Sequence, residues 1–380
     1  MNAATRIAGR LCLNRGHIPL GIRNGFSGLC RDEVHELTWQ EMATWQVKGG
    51  SDLGTNRHHP RPLDPSTIPL EEVTGLIDLG VIAYQLQKHR IDALLIIGGF
   101  EAFTGILEIN IANLTLSRGR KVYPAFCIPI VTLPATVSNN VPGTEYSIGS
   151  DTALNSIVEC CDRIKLSANA SRNRVFVVEV QGGNCGYLAV VGGLACGATA
   201  CYTPEVGINI SILQRDIAHL CQRYNDEKKK GIPHEGRLIL RTENASPEAY
   251  STTVVSNILK EEGKGTFDSR TAVFGHLQQG GIPSPLDRIR ATRLAVACID
   301  WIQDVVAQDL KPPGNWKQNV YTDLPEHSSV IGIRGANVVF TSTEELVCGT
   351  DLINRRDKES WWSGIERITR ILAKYGSEDL

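Results

Sequence analysis

The chain has 380 residues, 42% of them apolar, and its 41 acidic and 39 basic side chains leave a formal charge of -2. That length and apolar content suit one large or two medium cores, and the near balance of charge gives no sign of a nucleic-acid or membrane partner. Eleven cysteines are scattered without a CxxC pair, which argues against a zinc or redox centre and predicts reduced, buried thiols in a cytoplasmic protein.

In chain order, "MNAATRIAGRLCLNRG" reads as a helix whose first turn is at residue 2. The first helix of an open α/β sheet normally follows a strand and a glycine turn, and neither precedes it. The expectation is that the fold begins with a helix or that its first strand is missing. Arg6 and Arg10 are not followed by a continuous apolar core, so no signal peptide is read there. The sequons at Asn113, Asn169, Asn209 and Asn244 then carry little weight.

"EEVTGLIDLGVIAYQLQKH" has helical spacing, "DALLIIGG" is a continuous apolar run closed by glycines, and "FEAFTGILEINIANL" is helical again. "CIPIVTLPA" is the next strand and ends in the polar loop "TVSNN". "SDTALNSIVECCDRIKLSA" opens with two good caps and continues as a helix; "NRVFVVEVQGG" is a strand ending in glycines. The uncharged segment from Gln181 to Pro204 resembles a membrane span in charge, but its Gly, Ala, Asn and Thr content predicts a helix buried in a core. "NDEKKKGIPHEG" reads as an exposed loop. "GRLILRTE" and "DSRTAVFGHLQQGG" are strands that each follow a helical stretch, and "SPLDRIRATRLAVACIDWIQDVVA" is a long helix with proline in its first turn. After the punctuation "LKPPGNWKQN" come a short strand, "ANVVFTS", and a final helix ending near Lys374. The alternation predicts an α/β fold of mostly parallel sheets flanked by helices.

Several strands end in glycine or polar pairs: Gly98-Gly99, Thr136 to Asn140, Gln181-Gly182-Gly183 and Gln278-Gln279-Gly280-Gly281. Glycine lets a phosphate approach backbone N–H groups, and strand ends of a parallel sheet are where ligands sit. Arg174, Arg241 and Arg270 flank the same strands; each could grip phosphate or be a plain surface charge. Glu243 suits a sugar hydroxyl or a salt bridge, and His276 a phosphate or a core position. Glu101 reads as a helix N-terminal charge. The loop at 136–140 contains no carboxylate. The residues therefore suggest an α/β protein that binds a small, anionic, hydroxylated ligand, and they reveal no catalytic base.

"PATVSNNVPGTEYSIGSDTALN", "VEVQGGNCGYLAVVGGLA", "EEGKGTFDSR" and "GHLQQGGIPSPLDR" closely resemble eukaryotic ATP-dependent 6-phosphofructokinase, in a form most like the fungal enzymes. The resemblance runs over nearly the whole chain and is to the carboxy-terminal half of a fused tandem. It implies a two-lobed phosphofructokinase fold lacking its first strand. Residues 1–148 and 276–310 would form a larger lobe incomplete at its amino end, 149–275 a smaller lobe, and 311–380 an extension with the short strand and final helix. Catalytic halves of the family carry two aspartates where this chain has Ser138 and Asn140, and a metal-serving aspartate in a turn that here reads Gly98-Gly99-Phe100-Glu101-Ala102. Phosphoryl transfer needs a metal clamp and a positioned nucleophile, so the resemblance implies a chain without catalytic residues or cofactors of its own, Mg2+ and ATP belonging to the catalytic half.

The regulatory half of the family instead holds fructose 2,6-bisphosphate. The resemblance assigns that ligand to Arg57, Thr136, Val137, Ser138, Asn139, Asn140, Arg174, Gln181, Gly182, Gly183, Glu243, Arg270, His276, Leu277, Gln278, Gln279 and Arg355. By family analogy Arg174 and Arg270 reach the site of a neighbouring half. The implied partners are a catalytic half or other phosphofructokinase subunits in an oligomer, a tetramer or larger, in the cytoplasm, with no nucleic acid and no membrane. The family also has a strand and glycine-rich loop just before the first residue here, which makes ATP binding by this chain doubtful and suggests a fragment, a truncated gene model or a separate subunit. A self-sufficient phosphofructokinase and an interaction subunit with a vestigial ligand site are the alternatives.

Overall fold

In the computed structural model, residues 1–58, 60–61, 77–114, 123–171, 173–233, 235–246, 248–279, 281–308, 317–322 and 324–375 are described. Residues 71–76 of the expected helix at 71–89, residues 310–316 of the punctuating stretch, His234 and Gly280 lie outside them.

The described helices, in chain order, are α1 (Asn2–Asn14), α2 (Gly25–Cys30), α3 (Leu79–Lys88), α4 (Phe100–Leu114), α5 (Ser150–Ser171), α6 (Tyr187–Cys196), α7 (Ile210–Lys230), α8 (Thr252–Glu262), α9 (Pro285–Val306), α10 (Thr343–Gly349) and α11 (Ile365–Leu372). The strands used below are β1 (Leu20–Ile22), β2 (Val34–Glu36), β3 (Pro60–Arg61), β4 (Ile77–Asp78), β5 (Leu94–Gly98), β6 (Ile130–Pro134), β7 (Arg174–Val180), β8 (Ala200–Tyr202), β9 (Arg237–Thr242), β10 (Asp268–Val273), β11 (Ser328–Arg334) and β12 (Asn337–Ser342). Local chemistry sets many of the boundaries. The side chains of Asp78, Asn209, Ser251, Ser284 and Ser342 each accept from a backbone N–H two or three residues on, and so cap α3, α7, α8, α9 and α10. Proline stands in the first turn of α9, where its missing N–H costs nothing.

The stretch 225–236, expected as a loop, is helical as far as Lys230. Lys228, Lys229 and Lys230 lie in the last turn of α7, where positive charge faces the negative end of the helix dipole, and Gly231 closes the helix with a φ of 63°. The short strands β1, β2 and β8, and β11 with its longer apolar run, were not among the sequence expectations. A three-residue strand carries too little pattern to be distinguished from a loop.

Two compact units divide the chain. One comprises Met1–Thr136, Val141–Ile148 and Ile282–Leu352; the other comprises Val137–Asn140, Gly149–Gly281 and Ile353–Leu380. Residues 276–281 thus group with the second unit, and the tail beyond 310 is shared between the two rather than standing apart.

The first unit is built on a sheet ordered β12-β11-β6-β5. The β5–β6 and β6–β11 pairs are parallel, and β12 is an antiparallel edge. One apolar cluster joins Ala4 and Ala8 of α1 to Leu294 and Cys298 of α9, over Val131, Leu133 and Ile331. A second joins Leu79, Ile82 and Leu86 of α3 to Ile106 and Ile109 of α4 and to Leu94 and Ile130.

The second unit has a four-stranded, wholly parallel sheet ordered β10-β7-β9-β8. Its strands alternate between two cores, as a sheet buried on both faces must. Val178, Val180, Leu238 and Leu240 meet α5 and α6 through Ile157, Cys161, Leu188 and Val190. Val175, Val177 and Ile239 meet α7 and α8 through Leu213, Leu220, Val255 and Leu259. The uncharged 181–204 segment supplies α6, ten residues long and mostly buried, closed by Gly197 at a φ of 65°. No described helix is long and apolar enough to cross a membrane.

A buried polar knot ties α11 to this unit. Asp216 of α7 is fully buried. It accepts from the hydroxyls of Tyr202 at 3.0 Å and Tyr375 at 3.1 Å, and from the Arg370 guanidinium at 3.1 Å. Burial, the largest single influence, would lower the pKa of Arg370, but Asp216, Tyr375 and Glu366 together outweigh it and the net direction is upward. All eleven cysteines are free thiols. Most are buried or half-buried as expected, but Cys348 is exposed, because it lies on α10, a short surface helix.

Candidate functional site

The carboxyl ends of β7, β9 and β10 lie side by side because the three strands are parallel and in register. The sequence past each end brings its polar residues to the same edge of the second unit. After β7 the chain turns through Gly182 and Gly183, at φ values of 141° and 57°. A Cβ on Gly182 would lie 2.4 Å from the Cys185 carbonyl oxygen, so the turn requires glycine there. The Gly183 N–H donates to Glu243 Oε1 at 2.9 Å. Glu243, which directly follows β9, is thereby half engaged, and its second carboxylate oxygen has no partner among the described residues.

From the end of β10 come His276, Leu277, Gln278 and Gln279 on a single 3-10 turn and its C-cap. Gln278 is buried; its side-chain oxygen accepts from the Gln181 N–H at 3.4 Å and its amide donates to Gly275 O at 3.0 Å. Gln279 Nε2 donates to Gln181 Oε1 at 2.6 Å, and Gln181 Nε2 lies 3.0 Å from His276 Nδ1. The His276 ring is exposed. The edge therefore carries one carboxylate, one imidazole and several amides, a set suited to hydroxyl and phosphoryl oxygens.

The 136–140 loop is shared: Thr136 belongs to the first unit and Val137, Ser138, Asn139 and Asn140 to the second. Asn139 takes the left-handed conformation at a φ of 54°, which asparagine tolerates. Asn140 Nδ2 donates to the Arg355 carbonyl oxygen at 2.9 Å, and Arg355 is itself left-handed at a φ of 58°. This brings together two expected residues separated by more than half the chain. Two residues that the sequence did not single out brace the neighbouring 182–186 turn. Arg356 donates to the Asn184 carbonyl at 2.6 Å and pairs with Glu205 at 3.3 Å, and Glu205 accepts from the Gly186 N–H at 3.0 Å. No local pattern marks them, since each is far from the other in the chain. The adjacent Cys185 thiol is pushed up to about 12 by burial and is inert.

Two arginines lie elsewhere. Arg174 and Arg270 are on the amino side of β7 and β10, with Asp268 opposite Arg174 in the register. Arg270 makes a fork to Asp268, at 3.2 Å and 3.0 Å, and Arg174 is 4.0 Å from the same carboxylate. β7 spans seven residues, so at ~3.3 Å per residue Arg174 starts about 20 Å from its carboxyl end and Arg270, opposite Phe176, about 13 Å, and both side chains are held back by Asp268. Within one chain these arginines do not reach the Gln181–Glu243–His276 edge. Arg241, read from sequence as a possible phosphate grip, is corrected outright: it is 1% exposed, and its guanidinium donates to the carbonyls of Tyr250 at 2.6 Å and Glu243 at 3.3 Å. Burial lowers its pKa, with the Glu179 charge opposing. Its function is to hold the end of β9, and with it Glu243.

In the first unit, Gly98-Gly99 leads into α4, and Glu101 lies in that helix's first turn as expected. Arg57 is mostly exposed and lies 3.8 Å from Glu101. The 98–102 turn offers this one carboxylate, beside an arginine.

The model of the family described as phosphofructokinase matches residues 1–302. An ATP-dependent 6-phosphofructokinase of Aspergillus fumigatus is 45% identical over 384 residues, covering 98% of this chain and 43% of the relative. The ATP-dependent 6-phosphofructokinase subunit beta of Saccharomyces cerevisiae is 43% identical, covering 99% of this chain and 37% of the relative. The solved structure of phosphofructokinase from Saccharomyces cerevisiae superposes with a TM-score of 0.86 at 41% identity, over 99% of this chain and 47% of that one. The chain spans less than half the length of these relatives.

Proposed function

Since the chain belongs to the phosphofructokinase family, we propose that it is the regulatory, carboxy-terminal half of a glycolytic ATP-dependent 6-phosphofructokinase. The whole enzyme would phosphorylate fructose 6-phosphate to fructose 1,6-bisphosphate with ATP and Mg2+ held by its catalytic half. The second unit of this chain binds fructose 2,6-bisphosphate. The observation that carries the reading is the polar edge at the carboxyl ends of β7, β9 and β10, where Gln181, Gly183, Glu243, His276 and Gln279 converge. It supplies donors for phosphate and one carboxylate for a sugar hydroxyl. The 137–140 loop and Arg355 belong to the same ligand.

The chain does not phosphorylate. The loop carries Ser138 and Asn140 where a proton acceptor is needed, and the 98–102 turn has no free pair of acids. Arg174 and Arg270 serve a neighbouring half in a cytoplasmic oligomer, because in their own chain Asp268 holds them at the far end of the sheet. Calorimetric titration with fructose 2,6-bisphosphate tests binding, and a coupled assay of ADP release tests catalysis. Saturable binding without turnover is expected. Turnover that needs ATP, Mg2+ and fructose 6-phosphate and is lost in Ser138→Ala would replace this reading with a self-sufficient kinase, and absence of binding would leave an interaction subunit.

A further inference from the structure

We infer that Gln279 and Gln181 are positioning residues that select the tautomer of His276, so that its Nε2–H is offered to the ligand as a donor. The amide chain has a direction. Gln279 Nε2 donates to Gln181 Oε1 at 2.6 Å. With its oxygen so used, Gln181 turns its NH2 to His276 Nδ1 at 3.0 Å. An NH2 group can only donate, so Nδ1 is the acceptor and the ring proton of neutral imidazole resides on Nε2. Nε2 has no partner among the described residues, and the ring is exposed. Gln181, by contrast, is 9% exposed, and its own N–H is held by Gln278, so the link between the two outer side chains is fixed in place. A phosphoryl oxygen is an acceptor only, and a tautomer with Nε2 unprotonated would set lone pair against lone pair. The amide chain thus makes a neutral histidine a phosphate donor and does not depend on ring protonation.

This rests on the sugar-bisphosphate reading of the same edge, but its first test needs no ligand. Gln279→Glu has nearly the same shape but only accepts. It should reverse the chain: Gln181 Nε2 turns to the new carboxylate, its oxygen faces Nδ1, and the ring proton moves to Nδ1. With histidine-labelled full-length protein at about pH 8, where ordinary histidine is neutral, ring nitrogen shifts distinguish the two tautomers. His276→Gln identifies the signal by its disappearance. The expected result is protonated Nε2 in the parent and protonated Nδ1 in Gln279→Glu. The same tautomer in both, or protonated Nδ1 in the parent, overturns the inference whether or not the ligand binds.

The second test uses fructose 2,6-bisphosphate. Losing a donor to a charged oxygen should weaken binding by about tenfold to a hundredfold in Gln279→Glu. Part of that loss could be plain repulsion by the new carboxylate, so the substitution is repeated in His276→Gln. If the amides act through the ring, the double variant loses much less than the sum of the two single losses. Additive losses would show that Gln279 acts on the ligand by itself and would overturn the inference. A parent that fails to bind would instead defeat the proposed function and leave the tautomer spectra to decide this point.

Discussion

The two ends of the second unit's sheet are made by the same strands, yet they behave differently. At the carboxyl ends of β7, β9 and β10, Gln181, Glu243, His276 and Gln279 converge and leave a carboxylate oxygen and an imidazole nitrogen open. At the amino side, Arg174 and Arg270 share Asp268 and so have a carboxylate partner already. A parallel sheet creates this asymmetry. All its loops past the carboxyl ends belong to different segments of sequence and can meet, while charged groups at the amino ends are gathered only by pairing across adjacent strands. A list of candidate phosphate ligands therefore divides into a set that converges at one edge and a set already held by a carboxylate at the other end.

Four measurements could break or sharpen that contrast. The largest effect is expected where both ends share their support. Asp216→Ala takes from buried Arg370 its one fully buried counter-charge, leaving only Glu366, and removes the acceptor for Tyr202 and Tyr375, and breaking a buried pair costs up to about 3–5 kcal/mol. Urea unfolding should show this loss, and an unchanged midpoint would mean that α11 does not brace the sheet.

Next in size is Gly182→Ala, which acts at the carboxyl end alone. The new methyl meets the Cys185 carbonyl at a φ of 141°, a strain of about 1–3 kcal/mol. Thermal stability should fall and ligand binding should weaken with it. Undiminished binding would remove the turn from the site.

Arg270→Ala probes the opposite end. Its charge-assisted contacts to phosphate should matter only in the assembled oligomer, where affinity for fructose 2,6-bisphosphate is expected to fall about tenfold to a hundredfold with no loss of melting temperature. Arg270→Lys should restore part, because it keeps the charge without the planar fork. Equal affinity of parent and variants would break the contrast, and an equal loss in dilute, dissociated protein would show both ends serving one site.

The smallest effect is a pH dependence. His219 stacks on Tyr375 with ring centres 3.7 Å apart, and burial lowers its pKa below the ordinary 6.5. The folded state then binds the proton less readily than the unfolded state, so this contribution is present above pH 6.5 and is lost as pH falls towards the lowered value. His327, also lowered by burial, adds a slope of the same sign from the first unit. Stability measured between neutral and mildly acid pH should fall less steeply in His219→Gln. An identical slope would place the proton uptake elsewhere.

Much of the second unit was legible in the chain itself. Val175 to Val180 and Leu238 to Leu240 are apolar at every position or nearly so, which only a strand covered on both faces explains, and the residues that follow each strand carry the site chemistry. Glycine at 182 and 183, serine caps and the helix-closing glycines are readable because they act on their own backbone. The sequence could not show which end of a strand a charged residue would serve. Arg241 and Arg270 have the same side chain and similar flanks, yet one is buried against carbonyls and the other is half exposed on an edge strand. Nor could it reveal Arg356 and Glu205 behind the 182–186 turn, the direction of the Gln279–Gln181–His276 chain, or the continuation of α7 through Lys230. Backbone propensities and apolar periodicity act over a few residues and are written locally. Burial, register and hydrogen-bond direction depend on which distant segments become neighbours, and only the folded sheet decides that.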